Sequence, residues 1–294
     1  MKILIVILRH KGGVGNANRE LARCLRKRGH QVDILSREDD LNIYGMLDGL
    51  IPLREKIIEL EQQNIYDIIY TNDYSMTLSL LFPYHIYKNK HICCFCGYKL
   101  RDRGIHHVLQ HFVGWKMGKN LVVIGDNIKE KFPKATTIYR GINFDKFFNK
   151  NMERKYIGLI KRDTETLTEE EIKEIGKKTN LPVLIAEDIP QEKMNDFYNK
   201  LKVFISTPKC GGWNNSWNEA MACEVPLIIG NEIGGGRILP LEKASDVELC
   251  TKLILSSNLN EGGSLYRKWL KINDFSWDAK SKQLEEFFNE VKFR

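Results

Sequence analysis

The stretch from Val203 to Ile229 carries the residues best suited to chemistry. Gly211 and Gly212 stand ahead of a helical segment, and glycines that feed a helix amino terminus offer free backbone amides and a positive dipole end to a diphosphate. Glu219 falls near the start of that segment, where its carboxylate can accept two hydrogen bonds from a vicinal diol, the group a ribose presents. A plainer reading competes, because Ser216-Trp217-Asn218-Glu219 has the spacing of a capping box in which Ser and Glu satisfy exposed helix amides. Trp213 and Asn214 lie in the connecting loop, and Trp213 serves either as a wall for a bound molecule or as packing. Lys161 and Arg162 follow the apolar run Tyr156 to Ile160, where they either support a departing diphosphate or are simple surface charge.

A second glycine-rich turn, Lys11-Gly12-Gly13-Val14-Gly15, joins the apolar run Ile3 to Leu8 to a helical pattern of Ala17, Leu21, Ala22 and Leu25. The dinucleotide fingerprint requires a third glycine, but Gly13-Val14-Gly15-Asn16-Ala17-Asn18 lacks it, and Ser36-Arg37-Glu38 puts no acid at the end of the second strand. A Walker loop requires lysine and a hydroxyl residue where Asn16 and Ala17 stand. What survives is a loop whose Gly13 amide approaches a phosphate, or a glycine turn that only permits tight packing. Cys93-Cys94-Phe95-Cys96 has no second ligand pair at metal-binding spacing and reads as buried thiols in a strand. The chain's 7 cysteines are odd in number and unpaired in spacing, so no disulfide framework is expected. His106, His107 and His111 read as a solvated run on a helix.

These segments together resemble GT-B glycosyltransferases of the family 4 type. The resemblance rests on Ser206-Thr207-Pro208, Gly211-Gly212-Trp213, Asn218-Glu219-Ala220-Met221-Ala222-Cys223 and Val225-Pro226-Leu227. It is extended by Arg28-Gly29-His30-Gln31-Val32, Asp67-Ile68-Ile69 with Asn72-Asp73, Arg140-Gly141-Ile142-Asn143 with Phe147, and Phe275-Ser276-Trp277. It implies two Rossmann-like lobes with parallel sheets facing an interlobe cleft. It further implies a retaining, metal-independent transfer of a sugar from a nucleotide-diphosphate sugar to an acceptor hydroxyl, with no cofactor besides that donor. On this reading Lys161 and Arg162 act on the leaving diphosphate. Gly13, Gly211, Gly212, Trp213, Asn214 and Glu219 bind the donor, and Asn72, Asp73, Cys96 and Arg103 lie on the acceptor side. Three departures stand out. Gly211 replaces a second glutamate, Cys96-Gly97 replaces a His-Gly pair, and Leu159 and Thr164 occupy the places of the diphosphate-binding arginine and lysine that follow Gly158. Gly211 and Cys96 support an alternative, a degenerate non-catalytic protein that binds a nucleotide sugar or a protein partner, and Glu219, the glycine turn and the basic pair argue against it.

The elements must be α/β. Strand-like runs at 3–8, 32–35, 67–71, 93–95 and 121–124 alternate with helical segments, and the pattern restarts at Tyr156 with runs at 183–186, 203–206 and 227–229. A length of 294 residues accommodates two domains. We divide them as 1–150 and 151–277, with a carboxy-terminal helix over about 278–294 as a candidate to pack back on the first lobe. At 43% hydrophobic and 28% charged residues the chain is globular. Lys and Arg exceed Asp and Glu by 45 to 38, so the surface attracts anions: a glycan or lipid-linked acceptor at a membrane surface, or less favourably a nucleic acid. The first apolar run is too short for a signal peptide, and no run spans a bilayer, which gives a cytoplasmic, reduced setting with peripheral membrane contact as a further expectation.

Overall fold

The first apolar run sets the architecture. Ile3 to Ile7 of strand β1 (Lys2–Ile7) are all buried. Because side chains alternate across a strand, Ile3, Ile5 and Ile7 enter one core while Leu4 and Val6 enter another on the opposite face. A strand that is apolar on both faces demands cover on both, the condition of a parallel sheet flanked by helices. The computed structural model has this form and describes residues 1–99, 104–161, 167–208, 210–230, 242–244, 246–256 and 259–293. The chain divides into two compact units, Met1–Arg140 with Trp277–Arg294, and Gly141–Ser276.

In the first unit β1 is followed by α1 (Gly12–Lys27), β2 (Gln31–Ser36), α2 (Leu50–Asn64), β3 (Ile68–Asn72), α3 (Tyr74–Leu81) and β4 (His91–Phe95). A short extended pair, β5 (Tyr98–Lys99), precedes α4 (Ile105–Met117), β6 (Leu121–Val123), α5 (Asp126–Lys131) and β7 (Thr136–Thr137). The sheet order is β2-β1-β3-β4-β6-β7, and every pairing is parallel. One face is covered by α1 and by the last helix of the chain, α11 (Trp277–Lys292), whose Phe287, Phe288 and Val291 join Leu21 and Leu25 in one core. Glu285 fixes that helix, accepting from Arg28 at 2.5 Å and lying 2.9 Å from His30 Nε2, while Lys292 reaches Asp67 at 2.7 Å.

The second unit contains β8 (Tyr156–Ile160), α6 (Glu169–Thr179), β9 (Val183–Ala186), α7 (Met194–Asn199) and β10 (Leu201–Ser206). It continues with the extended pair β11 (Cys210–Gly211), then α8 (Asn215–Ala222), β12 (Leu227–Ile229), β13 (Glu242–Lys243), α9 (Val247–Leu255) and α10 (Leu259–Ile272). Its parallel sheet runs β13-β12-β10-β8-β9. Helix α6 begins at a capping box between Thr168 and Glu171. Gly158 in β8 has a packing reason, since a Cβ there would lie 2.2 Å from the Leu201 side chain of β10. The Arg140-to-Asn143 and Phe275-to-Trp277 segments meet: Ile142 donates from its backbone to Phe275 O at 2.7 Å and bridges to Ser276.

Candidate functional site

Helix α8 is anchored at its carboxyl end. There Arg154 donates to the carbonyls of Cys223, at 2.7 Å, and Glu224, and Arg267 donates to those of Ala222 and Phe147, the latter at 2.9 Å. Two guanidinium charges thus face the negative end of the helix dipole. At the amino end Asn214 is the N-cap, and before it Gly212 takes a φ of +145°, a value that favours glycine. Asn214 Nδ2 is a buried donor without a hydrogen-bond partner, a group that a ligand oxygen at this helix end would satisfy.

Glu219 is half-buried and is the fifth residue of α8, a turn deeper than the sequence pattern suggests. The capping-box reading fails, because Asn214 is the N-cap and Ser216 is already the second helical residue. The carboxylate is instead aimed by two side chains, Gln191 Nε2 donating to Oε1 at 2.8 Å and the Tyr198 hydroxyl donating to Oε2 at 2.9 Å. Trp213 is 2% exposed. Its indole donates to Asn218 Oδ1 at 2.7 Å and packs against Trp217, Trp269 and Phe275 with ring centroids 5.6, 6.2 and 5.6 Å away. It is part of the unit's core. Gly211 closes β11, just before Gly212.

Lys161 follows β8 and Glu187 follows β9, neighbouring parallel strands, so both stand at the carboxyl edge of the second sheet. Lys161 Nζ meets Glu187 Oε1 at 2.5 Å, and that hydrogen bond raises the pKa of the ammonium. A phosphate there would exchange with Glu187. Leu159 is a core residue. Arg162 and Thr164 lie outside the described residues, as does Arg103.

In the first unit the carboxyl edge of the sheet collects Gly13, Asn72, Asp73 and Cys96. This is the edge where ligands of open parallel sheets bind. Gly13 lies in the first turn of α1, whose N-cap is Lys11. The glycine that the turn most requires is Gly15, where a Cβ would come within 1.9 Å of the His10 carbonyl oxygen. Asn72 is buried and its Oδ1 accepts from Asn18 at 3.1 Å and from Arg140 at 3.3 Å. Asp73 caps α3 by accepting from the Tyr74 amide at 2.7 Å, and it does so at a φ of +78°, a conformation that costs a side-chain-bearing residue about 1–3 kcal/mol. Cys96 accepts from Arg140 at 2.6 Å. Burial opposes the Arg140 charge, yet Cys96, Cys94 and Tyr70 together outweigh it and hold the guanidinium charged.

No protein-family profile and no curated protein sequence matches the chain. Solved structures do. The sucrose-phosphate synthase of Thermosynechococcus elongatus superposes with a TM-score of 0.76 at 15% identity over 99% of both chains. A glycosyltransferase from Rickettsia africae superposes with a TM-score of 0.71 at 16% identity, over 99% of this chain and 98% of the other. The fold is GT-B. The UDP-GlcNAc 2-epimerase of Neisseria meningitidis, solved with UDP-GlcNAc, is a more distant match, with a TM-score of 0.59 and 10% identity over 99% of this chain and 100% of the other. The GT-B architecture therefore hosts more than one reaction, and function has to be argued from residues.

Within this GT-B chain the structure brings Gly212, Asn214 and Glu219 to one helix, and Asn72, Asp73 and Cys96 to one sheet edge. Sequence reasoning missed Gln191 and Tyr198, the orienting partners of Glu219, because nothing in a one-dimensional pattern links residues 21 and 28 positions apart. It also missed Arg154 and Arg267 as helix anchors and Arg140 as the buried cation. Arg140 opens the Arg140-Gly141-Ile142-Asn143 motif, and its charge in an otherwise apolar setting was the available signal.

Proposed function

We propose that the protein is a glycosyltransferase that moves a sugar from a nucleotide-diphosphate sugar to an acceptor hydroxyl, with retention of anomeric configuration and without a metal. The observation that carries this reading is Glu219, a carboxylate aimed by Gln191 and Tyr198 on the helix whose amino end carries Gly212 and Asn214. A carboxylate held in one orientation by Gln191 and Tyr198 is the kind of acceptor a ribose diol requires. The α8 amides and Lys161 then stabilise the departing diphosphate, which itself takes the acceptor proton. No carboxylate nucleophile enters this scheme. The superposed sucrose-phosphate synthase and Rickettsia glycosyltransferase make glycosyl transfer the reading closest to the fold.

The test is calorimetry with UDP, ADP and GDP. One of them is expected to bind, and Glu219→Ala to weaken that binding about tenfold or more, as loss of a charged hydrogen-bond acceptor does. Wild-type affinity in the variant would remove Glu219 from the site. A second reading, a non-catalytic protein that binds a nucleotide sugar, is favoured by Gly211 at the position of the second glutamate. Transfer and hydrolysis assays over a donor panel separate the two.

The acceptor we place at an anionic lipid surface. Ile105, Val108 and Trp115 recur along one face of α4 and are all exposed, Trp115 at 72%. The helix contains no acidic residue, and Lys116 Nζ lies 4.8 Å above the Trp115 ring. An apolar stripe with basic neighbours suits the headgroup region of such a membrane. Among the described residues no helix is long and apolar enough to cross one.

A further inference from the structure

Cys96 lies at the acceptor-side sheet edge but is given no chemical step in the transfer proposed above, and together with Cys94 it has the surroundings of a reactive thiol pair. Residues i and i+2 of an extended segment share a side, and the two sulfurs lie 4.0 Å apart. Both belong to the core between the sheet and α1, whereas Cys93 points to the opposite core and accepts from Thr77 at 3.0 Å. Cys94 is 1% exposed, while Cys96, just past the end of β4, is only half-buried.

A permanent charge sits beside them. Arg140 is 5% exposed, its Nη2 lies 2.6 Å from Cys96 Sγ, and a guanidinium keeps its proton at any pH a protein survives. A neighbouring cation favours the thiolate, the nucleophilic form of cysteine. The two sulfurs answer in opposite directions: the hydrogen bond between them holds Cys94 below the usual range, and the same bond together with burial pushes Cys96 well above it. The hydrogen bond between the sulfurs, with Arg140 adding to it, lets the pair give up one proton readily and keep the second. The same charge repels a metal cation, so the pair is suited to an electrophile rather than to metal binding.

We propose that Cys94 and Cys96 form a peroxide-reactive dithiol that shares one proton across the sulfur pair, with Cys96, the less buried sulfur and the one beside Arg140, attacking and Cys94 resolving. The Cys96 sulfur attacks one oxygen of hydrogen peroxide. An S–O bond forms, the O–O bond breaks, and the expelled hydroxide takes a proton to become water. The Cys94 sulfur then attacks the sulfenic sulfur of Cys96. An S–S bond forms, the S–O bond breaks, and the leaving hydroxide takes the Cys94 proton as a second water. Two thiols lose two electrons in all, and one peroxide becomes two waters. The chemistry is independent of glycosyl transfer.

The test treats the full chain with hydrogen peroxide at neutral pH and follows the peptide containing residues 94 and 96 by mass spectrometry. The expected result is loss of two hydrogens on that peptide, at a rate about tenfold above that of the same thiols in the denatured chain. Cys94→Ser should instead accumulate a dimedone-trappable sulfenic acid at Cys96. Arg140→Met should bring the rate down to the denatured-chain value, and if that variant does not fold, the Cys94→Ser comparison stands by itself. Oxidation no faster than in the denatured chain overturns the proposal, as does equal dimedone capture in the wild type and in Cys94→Ser.

Discussion

Asp73 shows how a single residue separates function from stability. It adopts a φ of +78° while capping α3, and its amide donates to the Cys94 carbonyl at 2.8 Å. The backbone strain costs about 1–3 kcal/mol, and the cap contributes about 0.5–2 kcal/mol. Glycine at this position removes both, so Asp73→Gly should change the unfolding free energy by less than about 1 kcal/mol. Alanine loses the cap and keeps the strain, so Asp73→Ala should be the less stable variant by about 1 kcal/mol or more. If the carboxylate acts on the acceptor, both variants lose transfer to the same extent despite their unequal stability. Chemical denaturation alongside turnover reads the two effects separately, and wild-type turnover in Asp73→Gly would confine the residue to a capping role. Strain held beside Asn72 and Cys96, at the edge where parallel sheets bind ligands, is the pattern of a position kept for chemistry.

At the level of elements, the turn between β1 and α1 depends on particular glycines: Gly12, at a φ of +83°, and Gly15, which is packed against backbone. Gly15→Ala would set a methyl group against backbone atoms, 1.9 Å from His10 O and 2.7 Å from Arg9 O. A backbone wall cannot rotate away, so the variant should lose about 1–3 kcal/mol and displace the amino end of α1. Circular dichroism melts give the loss, and an unshifted melting curve would show that the turn tolerates the group. Such buried strands were legible in the sequence because a short run that is apolar on both faces fits little besides the interior of a parallel sheet, and β8, β9 and β12 end where the residues say. Helices α2, α3, α9 and α10 were not delimited. Of these α3 is almost wholly buried, so no polar face marks its period, and α2 shows little segregation of its apolar residues. The α8 site was legible as a motif but not as a geometry, since Tyr198 on α7 and Gln191 ahead of it reach Glu219 only in the folded unit. Helix α4 yields a test of lipid contact. Trp115→Glu should abolish co-sedimentation with phosphatidylglycerol vesicles while leaving the melt unchanged, and equal binding by wild type and variant would separate α4 from any lipid surface.

For the molecule as a whole, acid should act in two stages. His91 is fully buried, with Nδ1 3.0 Å from His85 Nε2 and Nε2 3.0 Å from Thr71 Oγ1. Burial holds its pKa well below the ordinary value, with His85 as a second cause. His85 is lowered as well, first by burial and then by Lys88 and Lys116. A histidine depressed in the folded state binds its proton more readily in the unfolded chain, so stability is intact above the unfolded pKa of about 6.5. It then declines as pH falls toward each folded value, by about 1.4 kcal/mol per pH unit for each histidine. The carboxylates behave differently: Asp67 is lowered chiefly by Lys292, and Glu285 is lowered by Arg28 and His30 against the opposing effect of burial. Their contribution persists until the pH approaches ordinary carboxylate values, near 4, and is lost below them. Urea midpoints measured from pH 8 to pH 3 should therefore begin to fall as the pH drops below about 6.5, and fall more steeply below about 4.5. Replacing His91 with Gln should roughly halve the slope of the first stage, leaving the His85 contribution, and leave the second. A wild-type midpoint constant between pH 7 and pH 5 would mean that the His85–His91–Thr71 chain takes up protons without cost to the fold, and the buried neutral pair would have to be abandoned.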